Sequence, residues 1–218
     1  MNTAALDRGR VCDNHSAADL LLTRGADVNA RGQNGETLLH FASIFGCVDV
    51  LQLALDRGAE IDARNQNQRT PLLCALRFED DRVFENKATA EILLARGADI
   101  NATDEWGRSL LHVAAEWGCV KVLQLALDRG ADVSITSPSG TALHHAVWRC
   151  RNAEGNPLDF DEQKKLRAAQ MLVAHGIDVN AVGQDGHTAV RYAEQEFPED
   201  SPIRAYLTDL HAQRADPE

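Results

Sequence analysis

Apolar positions in this chain come in short blocks, and the blocks come in pairs. Between residues 37 and 58, Leu38, Leu39 and Ala42 make one block. Val48, Val50, Leu51, Leu53, Ala54 and Leu55 make the next. Thr37 precedes the first block as a helix N-cap, and Gly46 separates the two. Gly58 closes the second block where a left-handed C-cap is needed. The polar phrase that follows leads into a turn, and then another cap begins. The unit predicted is turn, helix, turn, helix.

The same unit recurs along the chain. One phrase appears five times: Gly25-Ala26-Asp27-Val28-Asn29-Ala30, then versions led by Gly58, Gly97, Gly130 and Gly176. These glycines are 33, 39, 33 and 46 residues apart. A second phrase interleaves with the first: Thr37-Leu38-Leu39-His40, Thr70-Pro71-Leu72-Leu73, Ser109-Leu110-Leu111-His112, Thr141-Ala142-Leu143-His144 and Thr188-Ala189-Val190-Arg191. Pro71 stands at the first helical position, where its missing N–H costs nothing. A fixed period of this length is the mark of a repeat architecture.

The 33-residue period, the Thr-Pro-Leu-His slot and the Gly-Ala-Asp-Val-Asn-Ala slot resemble the ankyrin repeat. The resemblance covers about residues 13–213 and implies an all-α ankyrin-repeat solenoid, helix-turn-helix repeats with β-turn fingers. About six repeats are expected, partial caps included, in a single domain over 1–218. Residues 1–31 form a partial N-terminal repeat. Full repeats follow at 32–64, 65–103, 104–136 and 137–182, and 183–218 cap the C-terminus. Leu73 and Arg191 depart from the family's His, and Ala142 and Ala189 from its Pro. Charged insertions near 79–87 and 150–165 fall between the two helices of a repeat. Phe84 and Phe160 within them either tuck back onto the stack or await a partner.

Composition narrows the function. The chain has 33 acidic and 22 basic residues, a net charge of −11. Unaided binding to nucleic acid or anionic lipid needs a basic face and is not expected. No apolar run approaches the ~20 residues that span a bilayer, and the first ten residues hold no signal-peptide core. Cys12, Cys47, Cys74, Cys119 and Cys150 are scattered and odd in number. That argues against a disulfide framework or a zinc site and for a reduced, cytoplasmic setting.

No catalytic residue, cofactor or metal site is expected. His40, His112 and His144 occupy one slot in three repeats. In the family resembled, that histidine links turns by hydrogen bonds. Repeats about 8–10 Å apart cannot share one ion. Ser137-Pro138-Ser139-Gly140 is a turn before a cap, not an active-site elbow. Asn29, Asn101 and Asn180 are turn stabilisers, and in animal cells the resemblance would also make them hydroxylation candidates.

The resemblance places partner binding on the concave face, on turn tips and first-helix ends. Counting from each cap, the residues before the inter-helix turn are Ile44 and Phe45, Arg77 and Phe78, Glu116 and Trp117, then Trp148 and Arg149. Trp106 lies in a turn tip beside Glu105 and Arg108. Five of the nine Phe and Trp residues therefore occupy positions expected to face outward. Large aromatics and Arg are enriched among binding hot spots. Glu36 contributes to the polar rim. The expected function is a monomeric module that binds another protein. Its acidity favours a basic partner, as for an inhibitor or immunity-type protein. An adaptor or effector scaffold is the alternative. An enzyme or small-molecule binder with the long insertion as a lid would require a deep pocket lined by His144, His145 or Cys150.

Overall fold

The computed structural model describes residues 15–79, 82–148 and 161–215. The chain forms two compact units, Met1–Arg77 with Phe84–Glu105, and Phe78–Val83 with Trp106–Glu218. Both are built from antiparallel helix pairs, and the described strands are few and short.

The first unit contains α1 (His15–Thr23), α2 (Leu38–Phe45), α3 (Val48–Asp56), α4 (Pro71–Cys74) and α5 (Lys87–Ala95). Leu39, Leu51, Leu72 and Leu93 are fully buried where α2 packs on α3 and on α4, and α4 on α5. The cap of α2 does two jobs. His40 Nδ1 accepts the Thr37 backbone N–H at 3.1 Å, while its Nε2 faces the Arg69 carbonyl at 2.9 Å. Nδ1 must be the bare nitrogen, so Nε2 carries the proton and ties one turn to the next. Gly46 ends α2 at φ 72°. Asn86 lies directly over it, donating to the Ser43 and Ile44 carbonyls at 2.9 Å each. A Cβ on Gly46 would sit 2.9 Å from Asn86 Oδ1 and would strain a left-handed backbone, so glycine is favoured on both counts.

One element departs from expectation. The helix capped by Thr70 stops at Cys74, and Arg77 and Phe78 do not lie on a helix end. They belong to β1 (Leu76–Glu79), which pairs with β2 (Arg82–Glu85). Arg69 donates to the Leu73 carbonyl and, at 2.9 Å, to that of Leu76. The Asn86 N–H closes on the Ala75 carbonyl at 2.9 Å. With these acceptors filled, the chain leaves the helix after one turn. The first insertion is thus a β-hairpin as far as it is described.

The second unit contains α6 (Leu110–Trp117), α7 (Val120–Asp128), α8 (Ala142–Val147), α9 (Glu162–Ala174), α10 (Ala189–Glu196) and α11 (Pro202–Ala215). Leu110, Leu111, Leu123, Leu143, Leu172 and Ile177 fill its core. The His slot repeats here. His112 Nε2 faces the Gly140 carbonyl at 3.3 Å, and His144 Nε2 the His187 carbonyl at 3.2 Å. Between α7 and α8 a tight hairpin pairs β3 (Thr136–Ser137) with β4 (Gly140–Thr141), antiparallel, with Ser137 opposite Gly140. Gly140 has φ 105°, and a Cβ there would meet the His144 ring at 2.7 Å. Asp161 caps α9, accepting from the Gln163 and Lys164 amides.

The cysteines also depart from expectation. Cys74 and Cys119 are buried and outside any disulfide, and burial pushes the Cys74 thiol up to about 11. Cys47, however, is disulfide-bonded.

Candidate functional site

The second unit presents a cleft of about 330 Å³. Trp106 comes from the turn before α6 and Trp148 from the end of α8. They are 50% and 41% exposed, although large aromatics are ordinarily mostly buried. The floor is the β3–β4 tip, Pro138 and Ser139.

A largely buried polar chain, led by the half-buried Arg108, supports the walls. The Arg108 guanidinium lies 4.7 Å over the Trp106 ring, a cation–π contact. It also pairs with Glu116 at 3.2 Å. The same Glu116 carboxylate oxygen meets His145 Nδ1 at 3.1 Å. A carboxylate only accepts, so Nδ1 carries a proton there. His145 Nε2 in turn meets the Ser137 hydroxyl at 2.9 Å. Edge-on to His145, at 5.1 Å between centroids, stands the His112 ring. Desolvation, and next to it the neighbouring His145, holds His112 down at about 3. Desolvation also lowers His40 and His144.

Ser137, His145 and Glu116 stand in the order of a hydrolytic triad, and His145 does line the cleft. The surroundings give the serine another task. Its oxygen accepts the Ser139 amide N–H at 3.2 Å and lies 3.1 Å from the Gly140 carbonyl. The hydroxyl closes the turn and joins it to α8. Among the described residues, no group of three His, Cys, Asp or Glu side chains could hold a metal ion. No described helix is long and apolar enough to cross a membrane.

Trp148 is set from behind by two groups. Lys165, only 2% exposed, donates from Nζ to the Trp148 carbonyl at 2.6 Å and the Ala146 carbonyl at 3.3 Å. The Tyr192 ring lies 6.1 Å from that of Trp148, and its hydroxyl donates to Asp185. That bond holds the Asp185 carboxyl low and pushes the Tyr192 phenol up to about 12. Neither Lys165 nor Tyr192 stood out in the sequence. The signal for Lys165 was a lone cation in a slot, eleven residues before the repeat glycine, whose equivalents are Cys47, Asn86 and Cys119.

The expected site residues thus divide. Trp106, Arg108, Glu116 and Trp148 converge on the cleft. Glu116 does so as a buried support, 8% exposed, rather than as part of a rim. Trp117 is half-buried at the end of α6. Within the first unit, Arg77 lies between two rings, 5.2 Å from Phe45 and 4.5 Å from Phe84. Phe84 therefore tucks back. Ile44 and Glu36 are half-buried and Glu105 is exposed. Arg149 and Phe160 lie outside the described residues, as does most of the 150–165 insertion.

Comparison with known proteins agrees with this architecture. A family model described as ankyrin repeats in three copies matches residues 4–104 and 82–155. The mouse (Mus musculus) protein NF-kappa-B inhibitor delta is 36% identical over 101 residues. That match takes in 43% of this chain and 28% of the relative, so the chain spans under a third of that protein's length. Both the repeated helix pairs with their histidine links and the matched residues place the chain in one family: it belongs to the ankyrin-repeat proteins.

Proposed function

We propose that this ankyrin-repeat chain, a protein–protein interaction module, holds its partner chiefly at the Trp106–Trp148 cleft. The carrying observation is that two of three tryptophans are exposed across one cleft while buried groups lock them in place. Arg108 fixes one ring and Lys165 the backbone of the other. Locked side chains have little rotamer freedom left to lose, so contact with them costs little ordering entropy. Trp106, Trp148 and Arg108 act as anchors, and Trp117 and Arg149 add further contacts. Phe45, Arg77, Ile44, Glu36 and Glu105 of the first unit, and Phe78, supply secondary contacts.

The role we favour is inhibition by rigid occupation of the partner's surface. Its support is the name of the relative, itself an inhibitor, and the chain's own charge of −11. That charge suits a basic partner and steers encounter. The chain works as a monomer in the cytoplasm, without catalysis. A Ser137-based hydrolase would need its hydroxyl released from the turn.

The test is affinity measured for wild type and for the Trp106→Ala, Trp148→Ala double variant. The partner is first captured from native lysate on the wild-type chain. Loss of tenfold or more supports the cleft, and a change within about threefold removes it. An association rate that does not fall with added salt removes the electrostatic part.

A further inference from the structure

The polar atoms of the Trp106–Trp148 cleft restrict what can enter it. Two charged side chains line it, Arg108 and Glu116, and they pair with each other at 3.2 Å. An ammonium or a carboxylate from a partner would leave water for a site whose own charges are already matched, which gains little. The side-chain acceptors are engaged as well. Glu116 Oε2 receives both Arg108 and His145 Nδ1–H. The Ser137 oxygen receives the Ser139 amide at 3.2 Å, and His145 Nε2 faces the Ser137 hydroxyl at 2.9 Å. The Trp148 carbonyl receives Lys165 Nζ at 2.6 Å. The walls, by contrast, are indoles, and an indole N–H only donates. The first unit has a cavity of a different kind, about 610 Å³, walled by Leu21 and Leu22 of α1 and Phe41 and Phe45 of α2. Its walls are aliphatic and phenyl groups, without an indole.

A group that suits the cleft has apolar faces for the indoles, carbonyls that accept, and no N–H in need of an acceptor. Proline combines all three, because its ring is apolar and its nitrogen carries no hydrogen. A run of prolines also holds itself in the polyproline II helix, which has no internal hydrogen bonds and leaves its carbonyls open to donors. Residues three apart lie on one face of that helix, about 9 Å along its axis. Aromatic-lined grooves are suited to such segments. Both sides are stiff before contact. The Arg108 guanidinium lies 4.7 Å over the Trp106 ring, Lys165 holds the Trp148 backbone, and the prolyl rings fix the ligand's own backbone. Little conformational freedom is left to lose on binding.

We infer, resting on the cleft as the partner's seat, that the partner enters it with a proline-rich segment in the polyproline II conformation. Prolines on one face of that segment pack on Trp106 and Trp148, and a carbonyl accepts from an indole N–H. The acidity of the chain then acts on encounter, outside the cleft, and does not choose the group that enters.

The probe is an acetylated, amidated oligoproline of about ten residues, some three turns long. It is titrated into the full-length chain by calorimetry, with an oligolysine of the same length as control. Saturable binding of oligoproline is expected, weakened at least tenfold by Trp106→Ala, Trp148→Ala. Trp148→Phe keeps a ring and removes the N–H, and is expected to weaken binding about threefold. Oligoproline is also expected to displace the captured partner. No saturable binding of oligoproline, or equal binding by the double variant, overturns the proline segment. So does oligolysine binding that the double variant loses. Equal binding by Trp148→Phe overturns the indole N–H contact. The captured partner separates this outcome from the fate of the cleft itself. A partner weakened by the double variant but not displaced by oligoproline leaves the cleft standing and overturns the proline segment. A partner that binds the double variant as it binds wild type overturns both.

Discussion

Two stretches of this molecule are nearly the same sequence in different surroundings. Residues 46–58 and 118–130 differ only at Asp49 and Lys121. Both fold into a nine-residue helix, α3 and α7. Yet Leu125 and Leu127 are 7% and 5% exposed, while Leu53 and Leu55 are only half-buried. α7 is backed by the thirteen-residue α9. α3 is backed on one side by α1, which has no buried residue. The first helices ahead of them diverge more. α2 offers Ile44 and Phe45 where α6 offers Glu116 and Trp117. One borders an apolar cavity and the other supports a polar cleft. The repeat phrase determines the fold, and the residues it leaves open decide what each unit can hold.

The comparison can be broken most strongly at the matched leucines. Leu125→Ala is expected to cost about 3 kcal/mol and Leu53→Ala about 1 kcal/mol, because only the first opens a closed cavity. Urea unfolding of the two variants checks this, and equal losses would show that the surroundings do not matter.

Acid should weaken the second unit through the histidine slot. His112 is held at about 3 when folded and returns to about 6.5 when unfolded. Below pH 6.5 the unfolded chain therefore binds the extra proton. The stabilisation is whole above that value and drains away as pH falls toward 3. By pH 5 the loss from His112 alone is about 2 kcal/mol. His112→Gln should flatten that part of the stability profile, and an unchanged profile would contradict the assignment.

Glu116 sharpens the contrast with Ile44. Glu116→Ala leaves Arg108 and His145 facing a void and is expected to cost about 2 kcal/mol. Ile44→Ala, at a half-buried site, should cost about 1 kcal/mol. Thermal melts of both variants would show the order. A smaller loss at Glu116 would mean that its carboxylate does not hold the cleft together.

The fold was legible because its signals are local and repeated. Thr37, Ser109 and Thr141 cap helices, and His40, His112 and His144 link turns, as the phrases imply. The hairpin at Leu76–Glu85 was not legible, because it depends on the Arg69 side chain reaching the Leu73 and Leu76 carbonyls and on the Asn86 amide closing back on Ala75, contacts that no repeat phrase encodes. At the site, the aromatics were legible as a set but not sorted. Sequence register put Glu116 and Trp117 side by side at an outward position, while the structure buries Glu116 beneath His145. That contact comes from the next repeat, 29 residues on. Lys165 and Tyr192, which set Trp148, belong to later elements and carry no motif.

The central claim is that the locked tryptophans of the second unit anchor the partner. Titration calorimetry of the captured partner with wild type and with the Trp106→Ala, Trp148→Ala variant tests it most directly. A fall of tenfold or more, about 1.4 kcal/mol, is predicted, with Phe41→Ala binding as wild type does. Affinity unchanged in the tryptophan variant and lost in Phe41→Ala would contradict it and move the binding site to the first unit.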